Sequence, residues 1–327
     1  MKNVLVTGGT GFIGSNLAIE LLREGCNVRI LRRPGSDLRA IGSADVEHRL
    51  GDVQDLESLK RAMSGCDTVF HTAAMVSYWR KDRETMYAIN IGGTRNVVTA
   101  CLEAGIEKLV HTSSVAAIGF PEFGTLADET NQFNWEPYDI GYRISKHRAE
   151  QEVQRGLKLG LPAVIVNPSI VIGPRDINFH GGQIVRDIYK KRLFFYIEGG
   201  MNIVHVNDVV RGQIAAARMG RIGERYILCG KNLPIREIFK TTAEVVRGIV
   251  PKIRMPKSLV HSAAFIAEMI GNVTNSKPWV TRELVARAGT SYYFSCAKAV
   301  RELGYSVMSL RRATEGAFEW YVQNDLS

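Results

Sequence analysis

Short runs of apolar, largely β-branched residues alternate with segments of helical period through the first half of the chain. The runs are NVLVT (3–7), NVRIL (27–31), DTVFHTA (67–73), KLVHTSS (108–114) and AVIVNPS (163–169). Between them, Phe12 to Glu24, Leu56 to Met63 and Glu84 to Ala104 repeat apolar residues every three to four positions, as a helix with one buried face requires. Strands that are apolar throughout belong to a sheet covered on both faces, and their regular alternation with helices reads as repeated β-α-β units. The pattern predicts an α/β fold, a doubly wound parallel sheet.

The rhythm loosens after Gly173-Pro174. Gly182 to Lys191 reads as a helix, and residues 202–219 as one more strand and helix returning to the sheet. From about Leu233 the pattern is mostly helical, interrupted at Pro234, Pro251, Pro256 and Pro278. No Gly/Ser-rich linker divides the chain. The expected organisation is a sheet domain of residues 1–174 joined by 202–230, and a smaller, mostly helical substrate domain woven from 175–201 and 231–327.

Composition narrows the classes. With 327 residues, 45% of them hydrophobic, the chain can bury a large core. Its five cysteines, Cys26, Cys66, Cys101, Cys229 and Cys296, form no C-x-x-C pair. Neither a disulfide framework nor a metal site is expected, and a reducing cytoplasm suits the chain. The opening residues lack the pattern of a secretory signal, and no apolar run reaches the ~18 residues of a membrane span. A net charge of +9 favours acidic partners such as phosphates or an anionic surface. No basic stretch interleaved with aromatics points to nucleic acid.

Thr7 to Gly14 spell TGGTGFIG, directly after the first strand and at the start of the first helix. In that context Gly8 permits a tight turn, Gly11 lets backbone approach a pyrophosphate, and Gly14 lets helix pack on strand. The helix N-terminus adds N–H groups and positive dipole. A dinucleotide is expected here, with Thr10, Phe12 and Ile13 of the same turn beside it. An NAD site usually ends its second strand with Asp or Glu to bind the adenosine ribose. Here NVRIL runs into Arg32 and Arg33, which accept no hydrogen bond but match a 2′-phosphate. NADP(H) is expected over NAD(H).

GYRISKHRAE (141–150) sets Tyr142 and Lys146 one helical turn apart on a shared face. An ammonium beside a phenol favours the phenolate and lowers a pKa otherwise near 10, so that the phenol passes protons at neutral pH. Glu150, four residues beyond Lys146, leaves a second reading open, a surface ion pair.

Taken in order, TGGTGFIG, GDV (51–53), HTAA (71–74), NIGGTRNV (90–97), HTSS (111–114), Tyr142 with Lys146, NPSIVIGP (167–174) and HVND (205–208) resemble the extended short-chain dehydrogenases/reductases, the NAD-dependent epimerase/dehydratase superfamily. The likeness covers nearly the whole chain. AAMVSYW (73–79), the Arg32-Arg33 turn, GERYILCG (223–230) and YFSCAKAVRELGY (293–305) resemble its dihydroflavonol 4-reductase-like and 3β-hydroxysteroid dehydrogenase-like branch. The resemblance implies a Rossmann fold and a set of roles. Asp52 and Val53 would flank the adenine, and Thr72, Ala73 and Ala74 would pass under the ribose and pyrophosphate. Asn90 would support the cofactor or the local backbone, and Pro168 with Ser169 would border the nicotinamide. Ser114 would hold the substrate oxygen, with Ser113 its rival on the opposite face of the strand. Tyr142 would exchange the proton, and Lys146 would tune it and bond the nicotinamide ribose. His71 and His111 are expected in the core, and the family suggests a homodimer through the helices at 84–104 and 142–159.

The expected activity is hydride transfer between NADP(H) and a carbonyl or secondary alcohol. Met75, Val76, Tyr78 and Trp79 offer an apolar wall for a lipophilic or aromatic small molecule. Two alternatives stay open. An epimerase would retain NAD and act on a nucleotide sugar, for which Arg175, Arg186, Lys190, Lys191 and Arg192 offer a diphosphate clasp. A regulator would bind NADPH without turnover and have no need of Tyr142 and Lys146. Residues 257–273, apolar nearly all round with Lys252, Arg254, Lys257 and Lys277 nearby, read as core packing, a lid, or a contact with an anionic membrane surface.

Overall fold

In the computed structural model, which describes residues 1–122 and 124–326, the chain forms twelve strands. They are β1 (Asn3–Thr7), β2 (Asn27–Arg32), β3 (Glu47–Leu50), β4 (Thr68–His71), β5 (Lys108–Thr112), β6 (Ala163–Pro168), β7 (Ile170–Ile172), β8 (Phe195–Tyr196), β9 (Gly200–His205), β10 (Arg225–Leu228), β11 (Lys231–Pro234) and β12 (Ile253–Arg254). The helices are α1 (Phe12–Arg23), α2 (Leu56–Met63), α3 (Arg83–Tyr87), α4 (Gly93–Ala104), α5 (Gly141–Lys158), α6 (Gln183–Tyr189), α7 (Val206–Met219), α8 (Ile235–Val246), α9 (Lys257–Thr274), α10 (Arg282–Val285), α11 (Ala297–Leu303) and α12 (Leu310–Gln323).

The central sheet is parallel and runs β10-β6-β5-β4-β1-β2-β3. Strand order reverses between β1 and β4, so a crevice opens beyond their carboxyl ends, the place where open α/β sheets bind ligands. β1 shows how the sequence pattern becomes two layers. Val4 and Val6 share a core with Leu17 and Leu21 of α1 and Val209 of α7, whereas Leu5 between them joins Leu59 and Met63 of α2 and Val97 of α4.

One expectation about the second half is corrected. β9, in the stretch expected to return to the sheet, pairs instead with β7 and β11 in a separate three-stranded sheet. Pro168 ends β6, a prolyl nitrogen cannot extend the ladder, and Ser169 hands the chain to β7 in the new sheet. What returns is α7, which packs on α1, and β10, which adds the seventh strand beside β6. The C-terminal region is mostly helical, as expected, and carries α6, α8, α9, α10 and α12, with the short strands β8, β9, β11 and β12 among them. β3 escaped the hydrophobic pattern altogether, since all four of its residues are exposed.

Candidate active site

The glycine turn leaves β1 at Thr7 and enters α1 at Phe12. Gly8 sits at φ +72°, where a Cβ would lie 2.7 Å from Ala73 N, and a Cβ on Gly14 would run into Gly8 O. Sterics alone therefore require both glycines. Gly11 is the N-cap of α1 without any side-chain cap, and no acidic residue occupies the first turn. The leading N–H groups of α1 thus lack a partner, which fits a phosphate. Thr10 and Ile13 are partly exposed beside this turn, while the Phe12 side chain belongs to the core and leaves only its backbone to a ligand. Thr72 Oγ1 donates to Thr7 O at 2.7 Å and ties the ends of β4 and β1 together, with Ala73 and Ala74 following as the small residues at the turn.

Farther along the crevice, α5 presents Tyr142 and Lys146. Its first N–H, on Gly141, donates to Glu283 Oε2 at 2.8 Å, a cap supplied from α10. Glu283 is buried and paired with Arg83 at 2.6 Å. The Tyr142 ring lies edge-on to Tyr78, centroids 5.6 Å apart. Burial pushes the Tyr142 phenol above the usual tyrosine range and the Tyr78 phenol adds to this, while the Ser114 hydroxyl and the Arg143 guanidinium pull it back. Ser114 is therefore the serine beside the phenol; Ser113 is buried on the side of Glu150.

The expectation that Lys146 lowers the phenol pKa is not met in the protein alone. Lys146 Nζ donates to Thr112 O at 2.9 Å, and burial holds the ammonium down to about 8 against the pull of Glu150. The surface ion pair also fails. Glu150 is buried, accepts from Asn167 Nδ2 at 2.7 Å and approaches Arg225 at 3.5 Å. Both groups of this helical turn are interior, and burial outweighs their mutual attraction.

His71 and His111 lie side by side beneath the site, ring centroids 5.2 Å apart. His71 bonds Thr7 Oγ1 at 2.7 Å and Thr94 Oγ1 at 3.0 Å, whereas neither ring nitrogen of His111 has a partner among the described residues. Burial holds His71 down to about 3 and His111 well below 6.5. Both are neutral in the folded protein, and both take up protons on unfolding once the pH falls below about 6.5. Stability is thus intact above that pH and lost as acid is added, by about 1.4 kcal/mol per pH unit for each ring. His111→Leu should leave the neutral-pH melting temperature nearly unchanged and lessen the acid slope by one ring's share, measured as melting temperature between about pH 4 and 6.

Asn90 occupies a π-helical turn (Ala88–Gly92) between α3 and α4. Its Oδ1 accepts from Met75 N at 2.8 Å, and its Nδ2 donates to Met75 O at 2.9 Å and Ser145 Oγ at 2.9 Å. It therefore braces the backbone after HTAA against α5, the second of its two expected roles. Asp52 Oδ1 accepts from Gln54 N at 2.9 Å, shaping its own turn, and Val53 is buried. Pro168 and Ser169 sit at the carboxyl end of β6; the Ser169 hydroxyl is buried with no partner among the described residues, so a ligand group there would satisfy it. Arg32 Nε donates to His48 Nδ1 at 3.0 Å, and Arg33 is exposed. The acid closest in sequence, Asp37, is engaged by Arg39 through contacts of 2.6 to 3.2 Å.

Sequence reasoning missed a box of rings beside the first turn of α5. Arg143 stacks 3.6 Å from the Trp135 centroid, and Arg287 lies 4.2 Å from Phe120 and 5.2 Å from Tyr138, with Tyr292 5.6 Å from each guanidinium. Arg287 Nη1 and the Tyr292 hydroxyl are buried without partners among the described residues. The residues are scattered over 120–292 and share no spacing that would have grouped them. Among the described residues no set of His, Cys, Asp or Glu is arranged to hold a metal ion. The outer faces of α4 and α5 carry an ion-pair network of Arg95, Glu152 and Arg155.

A family model described as the NAD dependent epimerase/dehydratase family matches residues 4–229. The chain belongs to this family. Like other extended short-chain dehydrogenases/reductases, it is an NAD(P)-dependent oxidoreductase by descent. A protein of Synechocystis with the provisional name dihydroflavonol 4-reductase is 36% identical over 97% of this chain and 93% of its own length. A Methylococcus capsulatus protein named sterol demethylase protein B is 30% identical, with 97% of each chain covered. The crystal structure of gox2253 superposes with a TM-score of 0.87 at 39% identity, covering 100% of this chain and 99% of the other. The epimerase/dehydratase family's matched span takes in the glycine turn, Ser114, Tyr142, Lys146 and β10, whereas Glu283, Arg287 and Tyr292 fall beyond it.

Proposed function

We propose that the chain is an NADP(H)-dependent oxidoreductase acting on a carbonyl or secondary alcohol of a lipophilic or aromatic small molecule. The observation that carries this reading is the Ser114 hydroxyl at hydrogen-bond reach of the Tyr142 phenol, whose ring packs edge-on to Tyr78, just past the carboxyl end of β5. The nicotinamide, when bound, supplies or accepts the hydride. The Ser114 hydroxyl donates to the substrate oxygen and polarises it. Tyr142, which burial keeps protonated at neutral pH, gives its proton to that oxygen in reduction and takes it back in oxidation. Lys146, held by Thr112 O and charged below about pH 8, bonds the nicotinamide ribose when the dinucleotide is bound. Arg32 and Arg33 favour the phosphorylated dinucleotide. The name of a Stigmatella aurantiaca relative, 32% identical over 92% of this chain, describes a ketoreductase of a farnesylated dihydroquinoline oxide, which is consistent with a large apolar carbonyl substrate.

One observation favours a second reading, an epimerase that retains NAD and acts on a nucleotide sugar. Arg143 and Arg287 stack on the same group of rings and enter no ion pair among the described residues, and Arg287 Nη1 is buried without a partner there, which a diphosphate would satisfy. A thermal-shift panel separates the two. At about 100 times its Kd a ligand adds about 2.7 kcal/mol, a shift of a few degrees. NADPH should raise the melting temperature more than NADH, with no further rise from UDP-sugars. A rise with a UDP-sugar, together with NAD carried through purification, would turn the assignment to the epimerase.

A further inference from the structure

We propose that the outer side of α9, together with the ribbon of β8 and β12, docks on an anionic lipid bilayer surface. A surface helix ordinarily buries its large apolar residues and exposes polar ones. α9 does the reverse. Val260, Ala264, Ala267 and Gly271 face inward, while Leu259 and, after the exposed His261 and Ser262, Phe265, Ile266, Met269, Ile270 and Val273 stand in solvent, Val273 at 87% exposure. Trp279, just past the helix, is 79% exposed. No exposed acid interrupts the stripe, because Glu268, the one acid of α9, is buried against Arg282 at 2.6 Å, and the Arg282 guanidinium lies 5.6 Å from the exposed Phe265 ring.

The ribbon supplies the charge. β8 and β12 pair Phe195 with Ile253, which brings KKRLFF (190–195) beside PKIR (251–254). Phe194, Phe195 and Ile253 are exposed there, among the cations Lys190, Lys191, Arg192, Lys252 and Lys257. The ion pairs in this region are Arg186 with Asp187 and Arg254 with Glu198; those five cations enter none among the described residues. Ile197 and Met255 pack on the inner side of α9, so ribbon and helix sit side by side over one small core.

Exposed rings between cations, next to an apolar stripe ending in tryptophan, make up an interfacial anchor. The apolar groups enter the headgroup boundary and the cations meet lipid phosphates. A second copy of the chain would bring the same five cations to the contact, which disfavours self-association there. Among the described residues no helix is long and apolar enough to cross a membrane, so the contact is peripheral. Lys81 Nζ donates to Asn272 O at 3.1 Å and to Asn275 Oδ1 at 3.2 Å, tying the end of α9 to the loop that carries Tyr78.

This inference goes beyond the proposed reaction and is tested without turnover. The full chain is sedimented with vesicles of equal parts phosphatidylglycerol and phosphatidylcholine, and with phosphatidylcholine alone. Binding should be stronger to the anionic vesicles and should weaken with salt. Ile266→Glu with Ile270→Glu, or Lys190→Glu with Lys191→Glu, should each weaken it about tenfold or more. Unchanged melting temperature and NADPH binding in these variants exclude misfolding. No sedimentation of the parent chain, or equal sedimentation of the variants, would overturn the proposal. So would a dimer in light scattering that Ile270→Glu splits, since a second copy would then own the stripe.

Discussion

Tyr142→Phe is expected to lower turnover about 10²- to 10⁴-fold while leaving NADPH affinity within about twofold. The substitution removes one oxygen and keeps the ring that packs edge-on to Tyr78, so the crevice retains its shape. What disappears is the proton that the substrate oxygen must receive as hydride arrives. The Ser114 hydroxyl still polarises that oxygen, which leaves some residual rate. Steady-state kcat beside a titration of NADPH binding checks the split. Retained activity would remove Tyr142 as the acid, and lost cofactor binding would reassign it to the dinucleotide.

Arg32→Ala together with Arg33→Ala should weaken NADPH by roughly 2–3 kcal/mol, about 30- to 150-fold, and NADH by less than about threefold. Arg32 spends only Nε on His48, and its terminal nitrogens remain for a phosphate. Arg33 is exposed at the strand end, so solvent screens its contribution to the lower part of that range. Asp37, the carboxylate that could have bound a ribose hydroxyl, is engaged by Arg39. Calorimetric titration with both dinucleotides reads the difference; equal losses would reject the 2′-phosphate assignment.

The parts of the site made from contiguous sequence were legible before the structure. The glycine turn, the strand ends and the i, i+4 tyrosine and lysine depend on local spacing, and buried parallel strands announce themselves by composition. What could not be read is what long-range packing decides. Burial reverses the expected shift of the Tyr142 phenol and takes Glu150 out of solvent, because the weight of desolvation depends on neighbours that no window of sequence contains. β9 has the alternation of a sheet strand, and nothing in its six residues says which of two sheets it joins. Glu283 has no signal at all, since a glutamate in a short helix is usually a solvated one.

That glutamate ties the tail of the chain to the helix that carries Tyr142. Its carboxylate grips the first turn of α5 from 142 positions downstream, a few residues before Arg287 and Tyr292. A substrate drawing those two side chains inward would tug on the turn that seats the acid. Recognition at one end and proton delivery at the other would then move as a single lever, and drift in the last third of the protein could retune timing while every reacting atom stayed the same.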